Sequence, residues 1–178
     1  GKDVAARAKK KYREIIAKLP EFDKRDRFEM NIVNCAMLAA FILCMPQRPD
    51  IKTLTDYYAA AMMTPTMKAF CCASGKKKFT PKDIEGMKAT AKLRAGERNP
   101  YSWNMDFFEY ENGSGYEARF TTCGICTLMQ VLGLYDLTPA LCHLDYTMSD
   151  AGGASDFVRE YTLASGGPYC DCGYHKKQ

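Results

Sequence analysis

The periodicity of this sequence changes once, at Gly96–Pro100, and that change limits the folds open to it. Upstream, apolar residues recur at three- and four-residue steps. Downstream, they alternate. A chain that is helical first and strand-forming afterwards belongs to the α+β class.

In the upstream half, Ala8, Tyr12, Ile15, Ile16 and Leu19 fall on one face of a helix over Lys2–Leu19, which Pro20 stops. Arg27–Met45 is apolar nearly all round and is expected in the middle of a bundle. Its apolar run, Cys35–Met45, is shorter than the ~18–20 residues of a membrane span. A third helix is expected over Lys52–Met63, with Tyr57, Tyr58, Ala61 and Met62 inward. Thr64-Pro65 and Thr80-Pro81 each place an N-cap threonine before a proline at the first helical position. They open helices to Ala73 and to Ala95, and Asp83 adds a capping-box acid to the second. Cys71 and Cys72 diverge by about 100° on a helix, so they read as small buried residues rather than as a shared ligand pair.

In the downstream half, Tyr101–Glu111 and Tyr116–Thr122 flank the turn Asn112-Gly113-Ser114-Gly115 and read as a β-hairpin. Gly124–Leu132 is a helix. Thr138-Pro139 caps a short one that carries Cys142, His143 and Asp145. Asp150–Ser155 reads as a flexible loop, Phe157–Ala164 as a strand and Tyr169–His175 as the last strand. The order β-β-α-α-β-β predicts a four-stranded antiparallel sheet with helices on one face and the N-terminal helices around it. Residues 1–98 form a helical region and 99–178 an α+β region with a cysteine-rich site, expected to be one integrated domain.

An apolar fraction of 47% is enough for a real core. The net charge of +4 is small, and the runs Lys9–Lys11 and Lys76–Lys78 read as solvated surface. No basic stripe with interleaved aromatics is present, which argues against a nucleic-acid partner. Nine cysteines is an odd number, no leader is evident, and Cys35 and Cys44 sit inside an apolar helix. A cytoplasmic protein with reduced thiols is expected rather than a disulfide framework.

The chemistry concentrates in Phe120–His175, which holds five of the nine cysteines, both histidines, Asp145, Asp171 and Arg159. Cys123-Gly124-Ile125-Cys126 opens a helix, where free backbone N–H groups and the dipole favour thiolate over thiol. Such a thiolate suits a nucleophile, a redox centre or a metal ligand. Cys142 and Asp145, three apart, share a helix face, and a carboxylate beside a thiol can act as a base or orient a water. Cys170 and Cys172 share one face of a strand and Asp171 takes the other. Arg159 is either a carboxylate clamp or an ion-pair partner of Asp156, Glu160 or a helix. His143 and His175 read as surface residues. Cysteines from three separate elements also make a zinc-type set, although the spacing is not that of a finger, knuckle, ribbon or ferredoxin.

These residues resemble one family. The run from Cys123 through LCHLDY to FVREYTLASGGPYCDCGYHK is similar to the L-2-amino-thiazoline-4-carboxylic acid hydrolases. The pattern is a cysteine opening a helix, a C-x-x-D on the next, then R-x-x-T-L-x-x-G and a terminal C-D. It falls on Cys123, on Cys142 with Asp145, on Arg159 with Thr162 and Gly166, and on Cys170 with Asp171. The resemblance implies hydrolytic opening of a cyclic, amidine-like thiazoline to a carbamoyl-cysteine, with no cofactor required. It implies Cys123, Cys142, Asp145 and Cys170 as catalytic residues, and Arg159, Thr162 and Asp171 as substrate-binding ones. Cys123 is the first choice of nucleophile, with Cys142 and Cys170 next. The partner is then a small-molecule substrate, not a nucleic acid or a membrane, and a homo-oligomer is compatible with the sequence. The chain departs from the pattern at Cys126, an added thiol, and at Cys172, where a bulky apolar residue is expected.

Two other readings stay open. Cys123, Cys126, Cys142, Cys170 and Cys172 would ligate a zinc ion or an iron–sulfur cluster in a metal variant. A more distant likeness to vinyl-reductase-associated small-ligand-binding domains implies a sensor or carrier without catalysis.

Overall fold

A computed structural model describes residues 2–177. Helices α1 (Lys2–Ile16), α2 (Glu29–Cys44), α3 (Ile51–Met62), α4 (Pro65–Gly75) and α5 (Pro81–Arg94) precede strands β1 (Asp106–Glu109) and β2 (Gly115–Phe120). Helices α6 (Gly124–Val131), α7 (Thr138–Cys142) and α8 (Leu144–Gly152) then lead to β3 (Ser155–Val158) and β4 (Cys170–Lys176). The sheet runs β1-β2-β4-β3, antiparallel at every pairing, so the class is α+β as the change of periodicity requires. Among the described residues no helix is long and apolar enough to cross a membrane.

The threonine–proline starts behave as their chemistry dictates. Thr64 accepts from the Met67 N–H and Thr80 from the Asp83 N–H, each satisfying a donor that the first helical turn leaves unpaired. Asp83 reaches back to the Phe79 N–H at 2.7 Å and also accepts from the Tyr116 hydroxyl at 3.0 Å, tying α5 to β2. Thr138 differs. Its chain is already helical, continuing a 3-10 turn at Tyr135–Leu137, and its buried hydroxyl has no hydrogen-bond partner.

One hydrophobic cluster runs from Ile15 and Ile32 through Cys35, Leu38, Leu54 and Tyr58 to Trp103, Leu128, Met129 and Leu141. It explains why the first expected strand is short. Trp103 and Met105 alternate with polar neighbours as a strand would, but they are buried, and Trp103 turns into the helical cluster beside Phe28. Only Asp106–Glu109 pairs with β2.

Four other expectations need correction. Asp150–Ser155 is not a loop: α8 runs to Gly152, and Gly153 closes it at φ 72°, its N–H bonding the Ser149 and Asp150 carbonyls. Three helices therefore separate the two halves of the sheet. The strand expected over Phe157–Ala164 ends at Val158; just beyond it, past Arg159, the Asp171 carboxylate takes the N–H groups of Glu160 and Tyr161. Helix α2 is not enclosed, since Met30, Met37 and Phe41 are exposed, and α3 turns Leu54 and Tyr58 inward while Tyr57 faces out. Cys71 is buried, but Cys72 is exposed and donates to the Ala151 carbonyl.

The Lys76–Lys78 run is solvated only in part. The Lys78 ammonium lies 3.5 Å from the Tyr174 ring centre and 5.0 Å from that of Tyr116, and burial pulls its pKa down to about 8. At the crossing of α4 and α8, a Cβ on Gly75 would lie 2.9 Å from the Gly152 carbonyl carbon, so the two backbones touch. A buried network joins the ends of the helical half. Arg94, from the end of α5, pairs with Asp26 and Glu97 and donates to Ser102 at 3.1 Å.

Candidate active site

The inner face of the sheet carries Tyr116, Ala118 and Phe120 from β2, Phe157 from β3, and Cys170, Cys172 and Tyr174 from β4. The helices α6, α7 and α8 bring their thiols and acid against this face. All nine cysteines carry free thiols.

Cys123 leaves β2 in an extended conformation (φ −142°, ψ 111°) and serves as the N-cap of α6. Gly124 follows because nothing larger fits: an added Cβ would run into the Tyr101 carbonyl and the side chain of Ile32. This contact pins the start of the helix against the core. Around the half-buried Cys123 sulfur lie the Cys126 thiol, the backbone N–H groups of Cys126 and Ile125, and the Trp103 indole, although the sulfur makes no regular capping hydrogen bond. Led by the Cys126 thiol, these donors outweigh burial and hold the Cys123 pKa below the ordinary thiol value. Cys126 is held protonated for the complementary reason, first its hydrogen bond to Cys123 and then burial. Trp103 is the chain's lone tryptophan and was not among the expected site residues.

Across from Cys123 stand Cys142, at the end of α7, and Asp145, in the first turn of α8. A one-residue break at His143 separates the two helices, so Cys142 and Asp145 do not share a single regular helix. Arg159 joins them instead. One Nη donates to the Asp145 carboxylate at 2.7 Å and the other to the Cys142 carbonyl at 2.9 Å. The rings of Tyr146 and Phe157 hold the guanidinium, each 5.3 Å away. The ion pair with a helix is thus the arrangement that forms. The Arg159 charge is already half answered from within the protein.

Burial pushes the Asp145 carboxyl above its usual range, against the pull of Arg159, and yet 45% of its side-chain surface is open. Cys142, pushed up to about 12 by burial, and Cys170, also pushed up by burial, are partly open and feel the charges of both Cys123 and Asp145. Cys170 accepts the Leu163 N–H at 3.3 Å. Cys172 is buried against Arg159 and Asp145. Tyr174 lies deep beside the same acid, and burial raises its pKa well above the ordinary phenol value. Tyr135, beside Cys126, donates to the Leu163 carbonyl at 2.8 Å, which ties the approach to α7 to the turn after β3.

The structure therefore brings Cys123, Cys142, Asp145, Arg159 and Cys170 into one neighbourhood. Thr162 and Asp171 stand apart from it. Thr162 caps the 3-10 turn Leu163–Ser165, accepting from the Ser165 N–H. Asp171 projects from the outer face of the sheet, where it holds the Glu160 and Tyr161 N–H groups and with them the backbone next to Arg159. A shallow depression of about 430 Å³ lies on that outer face, lined by Tyr110, Glu117 and Asp171 among others. The thiols point the other way. His143 is exposed, and His175 stacks on Tyr110 with ring centres 4.7 Å apart. Among the described residues no group of three or more His, Cys, Asp or Glu side chains is placed to share a metal ion.

The fold is α+β, with a cluster of thiols, one acid and one arginine where its sheet meets its last helices. The family model for L-2-amino-thiazoline-4-carboxylic acid hydrolase matches residues 30–174, and the chain belongs to that family. The match takes in α2 to α5 as well as the whole cysteine-rich stretch. No curated protein and no solved structure matches the chain.

Proposed function

We propose that this protein hydrolyses a carboxylated thiazoline ring, with Cys123 as the nucleophile. The observation that carries the reading is the partly open Cys123 sulfur at the start of α6, with Cys126, the Ile125 N–H and Trp103 around it and the Asp145–Arg159 pair beside neighbouring Cys142. Family membership supports the substrate class.

The ring carbon between nitrogen and sulfur is the electrophile. The Cys123 thiolate attacks it, the bond from that carbon to the ring sulfur breaks, and the ring sulfur leaves as a thiolate on the opened chain. The opened substrate stays joined to Cys123 through a new carbon–sulfur bond. A water then attacks the same carbon and Cys123 leaves as thiolate. The two protons of the water end on the ring nitrogen and the ring sulfur, carried by Asp145, whose raised pKa suits it to hold one in passing. One water is consumed and a carbamoyl-cysteine is released. Arg159 positions Asp145 through their ion pair, and the remaining N–H groups of its fork meet the substrate carboxylate.

The test is ring opening by the purified chain, read as new thiol released from the thiazoline. Wild type is expected to open the ring and Cys123→Ala to fall to background. Cys170→Ala is expected to keep activity. Opening by Cys123→Ala at the wild-type rate removes Cys123 as nucleophile. No opening by folded, reduced wild type removes the hydrolase reading.

A further inference from the structure

Cys126 serves the proposed hydrolysis only as a hydrogen-bond donor, a task that a serine would perform. Its geometry suits more. Cys123 and Cys126 straddle the first turn of α6. At a rise of ~1.5 Å per residue and one turn of separation, their Cα atoms fall within the ~4.4–6.8 Å that a disulfide spans. Both residues are partly open, whereas Cys35, Cys44, Cys71 and Cys172 are buried.

We propose that Cys123 and Cys126 form a reversible oxidation site, closed to a disulfide when a peroxide reaches their partly open sulfurs. The Cys123 thiolate attacks one peroxide oxygen and the O–O bond breaks. Cys123 becomes a sulfenic acid and, for hydrogen peroxide, hydroxide leaves. The Cys126 thiol then attacks the sulfenic sulfur. The S–S bond forms, and the sulfenic hydroxyl departs with the Cys126 proton as water. The two thiols lose two electrons and the peroxide gains them. A dithiol reductant reverses the change.

Other partners for Cys123 are worse placed. Cys170 is held by the Leu163 N–H on β4. Cys142 sits at the end of α7, on a different helix, with its carbonyl fastened to Arg159. The start of α6 is pinned by the contact of Gly124 with Tyr101, so Cys123 does not move toward either. Only a bridge within the turn leaves these contacts in place. The bridge also occupies the sulfur assigned as nucleophile, so its effect on hydrolysis rests on the function proposed above, while the bond itself does not.

The test is peptide mapping of the full chain after brief exposure of reduced protein to hydrogen peroxide, with remaining thiols blocked by N-ethylmaleimide. The expected product is a single peptide in which Cys123 and Cys126 are unblocked and two hydrogens are missing, reversed by dithiothreitol. Cys126→Ser protein is expected instead to carry Cys123 as a sulfenic acid that dimedone traps. Ring opening measured on aliquots taken before the blocking step should fall in proportion to the fraction bridged. A bridge from Cys123 to Cys142 or Cys170 overturns the proposal, as does wild-type Cys123 that stays blocked or passes to sulfinic acid without a bridge. A Cys123–Cys126 bridge that leaves ring opening untouched upholds the oxidation site and removes Cys123 as nucleophile.

Discussion

Replacing Cys126 by alanine isolates the donor that does most to hold Cys123 as thiolate. In wild type the Cys126 thiol, two backbone N–H groups and the Trp103 indole all favour the ionised sulfur, and burial alone opposes them. Alanine keeps the backbone N–H at position 126 and removes only the thiol. A hydrogen bond to a charged group contributes about 1.5–3 kcal/mol. At about 1.36 kcal/mol per unit, its loss raises the Cys123 pKa by about 1–2 units. The sign follows from the donors, which stabilise the charged form, so losing one moves the ionisation to higher pH. Well below both midpoints the thiolate fraction then drops by about 10–100-fold. The assay is the rate of Cys123 alkylation by iodoacetamide against pH, read peptide by peptide so that the other thiols do not interfere. Wild type should show a midpoint below the ordinary thiol value and Cys126→Ala one that is higher by the stated amount. The acid limb of the ring-opening rate should move with it. Trp103→Phe, which removes a second donor, should shift the midpoint in the same direction. If the Cys126→Ala midpoint stays at the wild-type position while the protein melts normally, the thiol–thiolate bond is not what activates Cys123.

Three further outcomes are expected. Arg94→Met leaves Asp26 buried without its cation, which costs about 3–5 kcal/mol; at about 2–4 °C per kcal/mol, calorimetry should find Tm lower by roughly 6–20 °C, and adding Asp26→Asn should recover much of it. Lys78 releases its proton near pH 8 when folded, against 10.5 for the free side chain, so between those values the unfolded chain holds the extra proton and wild-type stability to urea should rise with pH; Lys78→Met should lack that part of the rise. Asp171→Ala frees the Glu160 and Tyr161 N–H groups beside Arg159; urea unfolding should show a loss of about 1–3 kcal/mol, and ring opening should fall by more than thermal stability does.

Much of the fold was legible because local chemistry decides it. Thr64-Pro65 and Thr80-Pro81 begin helices wherever they occur, since the proline needs no hydrogen bond and the hydroxyl supplies one. The alternation of Cys170, Asp171 and Cys172 set opposite faces of β4 before any tertiary contact was known. Other elements depend on partners far away in the chain. Tyr101–Met105 alternates like a strand, but the slot beside Phe28 and Ile32 takes Trp103 and ends the ladder. Lys78 reads as surface from its lysine neighbours, and only the packing of Tyr116 against Tyr174 makes a box for it. The thiols, Asp145 and Arg159 of the site were visible as residue types at helix and strand ends. Their pairing was not. That Arg159 spends its charge on Asp145, and that Trp103 reaches Cys123, are facts of the folded chain.

The glycine at position 75 has a consequence for how tolerance to substitution will be distributed. Helix α8, which carries Asp145, meets α4 backbone to backbone at this crossing, since a Cβ at Gly75 has nowhere to go against Gly152. A side chain at such a crossing could rotate away; a carbonyl in a helix cannot. In a saturation-mutagenesis map scored for activity, position 75 should therefore read like a site residue, though it touches no thiol. Gly86, on α5 with open space around it, should accept nearly any side chain.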